Sequence, residues 1–213
     1  TTTTTTSGQS FEVTGLSGGV EYQFSVAARS SAGLGDRSEV VRVSTSSAVA
    51  GAPVATQQTA SSITLSWSAP SASAGNAASG YMVYHNDGVG GAEMSTVGYD
   101  GSSSESTSGT ISGLVGGREY SFVVSALNRG GAGDVSDVLL QSTSPAAPTA
   151  LASTLQTTTS ITLSWAAPVT ESGGADVSGY ILYRNDGSAD GAVSMEVYGE
   201  DASSDATTTT SGQ

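Results

Sequence analysis

Apolar and polar positions alternate along most of this chain. Ile63, Leu65 and Trp67 take every second place in one segment, and Ile161, Leu163 and Trp165 do so in another. Tyr22, Phe24, Val26 and Ala28 follow the same rule, as do Tyr120, Phe122, Val124 and Ala126. Period two over a short segment predicts a strand with one buried face, because successive side chains point to opposite sides of a sheet. Gly, Ser, Pro and Asn-Asp-Gly clusters separate these segments, and no stretch carries a helical period. Asn86-Asp87-Gly88 and Asn185-Asp186-Gly187 directly follow strands, where a residue with positive φ closes a tight hairpin. About seven short strands per hundred residues, without cysteine, predict an all-β fold of tandem immunoglobulin-like β-sandwiches with no helices of note.

The pattern repeats. A shift of 98 positions lays residues 15–36 over 113–134 with twelve of 22 positions identical, and carries Ser62-Ile63-Thr64-Leu65-Ser66-Trp67 onto residues 160–165. A period of this length is a whole domain rather than a solenoid unit, which runs at roughly 20–50 residues. The segment order predicts three pieces: 1–50 as the C-terminal half of one domain, 52–146 as a complete domain, and 147–213 as the N-terminal half of a third. Residues 207–213 also repeat residues 3–9, so the sequence reads as a window of a longer protein built on a two-domain repeat.

The motifs resemble those of the fibronectin type III domains. The resemblance rests on Trp67 and Trp165 in the second strand, Gly80 to Tyr84 and Gly179 to Tyr183 in the third, and the Leu-x-x-Gly-x-x-Tyr-x-Phe-x-Val-x-Ala run into the sixth. A Gly-x-Gly turn before the last strand (Gly33 and Gly35, Gly131 and Gly133) completes it. The Tyr-x-x-Tyr followed by Asn-Asp-Gly looks more like the modules of secreted microbial and algal proteins than like vertebrate fibronectin. No Arg-Gly-Asp occurs, so the family's integrin-binding loop is not carried over. The resemblance implies a structural core of Trp67, Trp165, Tyr22, Tyr120, Phe24, Phe122, Leu16 and Leu114, with Tyr22 and Tyr120 as tyrosine corners bonded back to the chain upstream. Tyr84 and Tyr183, on the opposite parity from Tyr81 and Tyr180, are expected to be exposed and are the candidates for an aromatic sugar platform.

Charge narrows the partners. Six arginines stand against 19 acidic residues, a net charge of −13, and there is no lysine to neutralise a row of phosphates. Nucleic acid and membrane insertion are therefore excluded as partners, and acidic arrays would repel one another, so that lateral bundling should depend on salt. No enzyme is expected. His85 is the sole histidine, Arg184 fills its place in the next repeat, and it reads as an exposed strand-end residue. No cofactor is expected either. Asp87, Asp100, Asp186, Asp190 and Asp201 gather near turns and offer the hard oxygens that calcium takes, but none has the spacing of a calcium loop. Glu200 and Asp205 lie in the same acidic stretch. Thr3, Thr4, Thr5, Thr6, Thr207, Thr208, Thr209 and Thr210, with Ser102 to Ser104 at the matching place, are candidates for O-glycosylation.

Two roles fit. The first is a non-catalytic structural repeat of a long extracellular fibre, surface hair or adhesin stalk that assembles head to tail, its partners being other copies of the same repeat and glycans. In that contact, strands of 147–213 would pair with a neighbour's 10–46. The alternative is an accessory, spacer or carbohydrate-binding module of a secreted polysaccharide-active enzyme. Pro53, Pro145 and Pro148 stiffen the linkers in either case.

Overall fold

The computed structural model describes residues 8–71, 77–90, 93–169, 176–185, 187, 193 and 195–199. Every regular element among them is a strand. In the middle of the chain these are β5 (Val54–Gln58), β6 (Ser62–Ser66), β7 (Gly80–His85), β8 (Thr96–Gly101), β9 (Ser108–Ser112), β10 (Glu119–Asn128), β11 (Gly131–Val135) and β12 (Leu139–Ser142). They form two antiparallel sheets, β5-β6-β9 and β11-β10-β7-β8, with β12 also on β10. β11 and β12 run along the same edge of β10, so together they are one seventh strand broken in two.

A serine makes that break. Ser136 N–H donates to the Val124 carbonyl (2.8 Å), while its hydroxyl accepts from Val124 N–H (3.0 Å) and donates to the Asp137 carbonyl (2.9 Å). The side chain thus replaces the ladder bond lost where the strand bends, which a buried backbone group requires.

The core lies between the sheets. β6 contributes Ile63 and Leu65, with Trp67 just beyond its end, and β9 contributes Ile111, which is the register partner of Ile63. Facing them are Tyr81 and Val83 of β7 and Tyr120, Phe122, Val124 and Ala126 of β10. The alternation read from sequence is thus the alternation of burial, inward apolar and outward polar: Thr64 and Thr110 bond to each other (2.9 Å) on the outer face of the first sheet.

The flanking units reuse the same pairings. β1 (Glu21–Phe24) pairs with β4 (Val41–Ser44), and β2 (Ala27–Ser30) with β3 (Gly33–Arg37). Tyr22 opposes Val43 as Tyr120 opposes Gln141, and Arg29 opposes Leu34 as Leu127 opposes Ala132. Ser38 breaks the strand as Ser136 does, accepting from Val26 N–H (3.0 Å) and donating to the Glu39 carbonyl (2.9 Å). Past the middle unit, β13 (Thr149–Gln156) pairs with β14 (Ile161–Ala166), and β15 (Tyr180–Arg184) with β16 (Met195–Gly199). Even the turns match: Thr157 and Ser160 bond through their hydroxyls (2.7 Å) as Thr59 and Ser62 do (2.8 Å).

Three expectations need correction. His85 is buried rather than exposed: it shares parity with Tyr81 and Val83, so its ring points inward, edge-on to Tyr120 (5.8 Å) and tilted against Phe122 (6.0 Å). Its Nδ1 donates to the Asn86 carbonyl. Leu16, expected in the core, is 36% exposed, because among the described residues no second sheet packs on the first unit as β6 and β9 pack on the middle one. Asn86-Asp87-Gly88 does not close a tight hairpin, since β7 ends at His85 and β8 begins at Thr96. Instead Asn86 is buried, and its Oδ1 accepts from Ser121 N–H of β10 (3.0 Å) and Gly88 N–H (3.2 Å), with Gly88 at φ 74°.

Candidate functional site

The core candidates separate by unit. Trp67 lies 5.6 Å from Tyr81 and 6.0 Å from Tyr99, ring to ring, and is buried, as are Leu114, Tyr120 and Phe122. Trp165 holds the same relation to Tyr180 (5.5 Å) but is half-buried, as are Tyr22 and Phe24. Both tyrosine hydroxyls accept a backbone N–H five residues upstream, Tyr120 from Val115 and Tyr22 from Ser17, each at 2.9 Å. Tyr84, expected to be exposed, is half-buried between its neighbouring strands, whereas Tyr183 is 51% exposed as expected. They stand in different units, so the structure does not bring them into one platform.

The acidic candidates do not converge. Asp87 follows β7 and uses its Oδ1 to accept from Val89 N–H (2.9 Å). Asp100 lies at the other end of the β7–β8 pair, where Met82 is its register partner. Its Oδ1 accepts from Ser102 N–H (3.0 Å), and the Ser102 hydroxyl and backbone together hold its carboxyl below the usual range. Among the described residues no three His, Cys, Asp or Glu side chains gather as metal ligands would. Asp186, Asp190, Asp201, Glu200, Asp205, Thr3 to Thr6 and Thr207 to Thr210 lie outside the described residues. Ser102 and Ser103 are exposed on the turn between β8 and β9.

What the fold does assemble is a joint. Residues 44–51 leave β4 and run across the edge of the middle unit, bonded on both sides. Thr45 N–H donates to the Val20 carbonyl of the first unit (3.0 Å), while the Thr45 carbonyl accepts from Asn128 Nδ2 of the middle unit (3.2 Å). The Ser46 carbonyl accepts from Gly19 N–H (2.6 Å), and the Ser46 hydroxyl reaches the Gly130 carbonyl (3.4 Å). Ser47, Ala50 and Pro53 are buried, and Gly51 N–H donates to the Ser68 carbonyl (3.0 Å).

Beside this segment lies a cleft of about 200 Å³, walled by Gly18 and Ala48 on one side and by Pro70, Tyr81, Glu105 and Thr107 on the other. Burial, and then the charge of Glu105, push the Tyr81 hydroxyl above the ordinary tyrosine range. It therefore stays a neutral hydrogen-bond donor. A donor beside a carboxylate can orient a small polar group, but the cleft's lining holds no histidine to act as a base, and His85 is packed in the core instead. Sequence reasoning missed Asn128 and Gly130. The signal was present as a difference between repeats, since Ser30 and Ala32 occupy their places in the first unit.

Over an alignment of 150 residues that covers 66% of the chain, the sequence is 38% identical to Chitinase A1 from Niallia circulans, and the alignment spans 19% of that protein's length. Among solved structures, a fibronectin type III domain of human fibronectin type III domain containing protein 3 is 26% identical, covering 46% of this chain and 87% of its own, with a TM-score of 0.41. The FN1–FN3 domains of chicken CNTN1 are 20% identical over 61% of this chain and 44% of theirs, with a TM-score of 0.41. The family model for the fibronectin type III domain matches residues 47–141, the stretch that holds both sheets of the middle sandwich, and the chain is thereby placed among the proteins that carry a fibronectin type III domain.

Proposed function

We propose that this chain is a non-catalytic spacer region of an extracellular protein, in which tandem fibronectin type III units set the distance and orientation of what they connect. The carrying observation is the joint at 44–51, where consecutive residues bond to the unit on each side, so that the first and middle units are held against one another rather than strung on a free linker. Such a segment transmits orientation, as a flexible linker does not. The setting favoured is the accessory region of a secreted polysaccharide-active enzyme, because the relative with 38% identity is a chitinase.

A second reading keeps one observation on its side. The pairings of the middle unit predict how the open edge of the first unit would be paired in a head-to-tail fibre: Val124 of β10 is the register partner of Val83 of β7, and the matching residues are Val26 and Leu182, while a neighbour's β13 and β14, in the place of β5 and β6, would cover the face on which Val26 is 72% exposed. A neighbour's β15 would then lie beside β1 and β2.

Two measurements separate these readings. Incubated with insoluble chitin and cellulose, the chain stays in the supernatant if it is a spacer, and retention that is lost in Tyr183→Ala would make it a binding module. Sedimentation velocity over a range of concentrations shows one species for a spacer, whereas a ladder of oligomers would make the fibre the better reading.

A further inference from the structure

The turn between β10 and β11 meets the linker unusually closely. A Cβ on Gly130 would fall on the Thr45 carbonyl oxygen and lie 2.5 Å from the Thr45 carbonyl carbon, and one on Gly133 would fall on the Ser47 carbonyl oxygen. Neither glycine has positive φ, so the backbone conformation does not call for glycine at these places. What excludes a side chain there is the passing linker. Asn128, 8% exposed, completes the fit: its Oδ1 accepts from Gly130 N–H (2.7 Å) and shapes the turn, which aims its Nδ2 at the Thr45 carbonyl.

The first unit offers an internal control. Its turn between β2 and β3 has the same register, Ser30 opposing Gly33 as Asn128 opposes Gly131, and Ser30 Oγ accepts from Ala32 N–H (3.2 Å) as Asn128 Oδ1 does from Gly130. There Ala32 stands in place of Gly130 and Ser30 in place of Asn128. A Cβ on Gly33 meets nothing within 4 Å, and one on Gly35 meets only the Ala28 carbonyl at 3.4 Å. The two turns share a backbone, and among the described residues only the second has a linker packed against it.

We infer that the β10–β11 turn is a socket for the extended Ser-Thr-Ser-Ser linker of a preceding repeat, and that the residues at its Asn128 and Gly130 positions decide whether a joint in such an array is locked. A turn with Asn and Gly there takes the linker through the amide and by close backbone approach. A turn with Ser and Ala, as in the first unit, presents a methyl group to the carbonyl that would have to enter, and leaves its joint free. The inference stands on the geometry of the joint and does not depend on the spacer reading.

The test is inter-unit distance spectroscopy on the whole chain. The chain has no cysteine, so Glu39→Cys in the first unit and Gln57→Cys in the middle one, both exposed, give two unique spin-label sites. The parent should show one narrow distance distribution, and Gly130→Ala should broaden it by about twofold or more as the units come apart. The double variant Asn128→Ser, Gly130→Ala should do the same, and because it installs the residues with which the first unit builds the same turn, it keeps the hairpin intact. Amide exchange along β10 unchanged in both variants would show the fold preserved, and Gly35→Ala should leave the distribution narrow. A parent distribution as broad as the variants', variants as narrow as the parent, or equal broadening by Gly35→Ala would each overturn the inference.

Discussion

Glu21 pairs with Ser44 in the first unit as Glu119 pairs with Ser142 in the middle one, and Ser38 bends its strand with the same three bonds that Ser136 uses. Yet Val124 is fully buried and Val26 is 72% exposed, and Leu114 is buried where Leu16 is 36% exposed. Pairing register and turn chemistry are therefore properties of the local hairpin, carried by residues that the two copies share. Burial is a property of the second sheet, which β5, β6 and β9 supply to the middle unit and which, among the described residues, the first unit lacks. The same apolar alternation thus specifies a strand in both places and a core in one.

The largest effect that could break this comparison comes from paired core truncations. Phe122→Ala should destabilise the middle unit by about 3–5 kcal/mol, the usual cost of removing a buried aromatic ring. Phe24→Ala, its half-buried counterpart in this chain, should cost below about 1 kcal/mol. Denaturant unfolding reports the first and amide exchange in β1 and β4 the second. Equal losses would mean that the first unit's apolar face is covered after all.

The bridging serines come next. Ser136→Ala leaves the Val124 N–H buried without its acceptor and should cost about 1–3 kcal/mol. In Ser38→Ala the freed Val26 N–H is exposed and water replaces the hydroxyl, so the change should stay within about 0.5 kcal/mol. A smaller contrast is expected for the corner tyrosines. Tyr120→Phe should cost about 1 kcal/mol through the part-buried Val115 N–H, and Tyr22→Phe a fraction of that, because Ser17 is exposed. Unfolding midpoints of the four variants decide both pairs.

These contrasts also mark what the sequence could reveal. The sandwich was legible because period two is a purely local signal, and Ile63, Leu65 and Trp67 repeat it at residues 161–165 without distortion. His85 was misread although its parity with Tyr81 and Val83 pointed inward; comparison with Arg184, which is exposed, outweighed the pattern within its own strand. Asn86 looked like a turn residue, and the tertiary bond to Ser121 N–H that buries it has no local trace. The socket at Asn128 and Gly130 was missed for a related reason. A glycine whose Cβ would strike another unit looks, in sequence, like any glycine in a turn, and only its replacement by Ala32 in the other repeat sets it apart.

The smallest predicted effect lies where the units meet. Tyr81 owes its burial to the opposing sheet, and its hydroxyl is held neutral first by that burial and then by Glu105 across the cleft. A folded-state pKa above the unfolded value means that the unfolded chain ionises first as pH rises. The stability linked to Tyr81 is thus complete below the ordinary tyrosine pKa, near pH 10, and is lost above it as pH climbs toward the raised folded value. Glu105→Gln removes the smaller of the two causes, so it should bring the ionisation of Tyr81 part of the way back and soften the fall in unfolding midpoint over about pH 9–11. Added salt should mimic the variant, because Glu105 is exposed and its field is screened, while leaving the contribution of burial untouched. Phenolate absorbance, with Tyr81→Phe as the blank, reads the shift directly. If Glu105→Gln and salt both leave Tyr81 where it was, burial alone holds the proton, and the raised pKa becomes one more mark of the second sheet that separates the middle unit from the first.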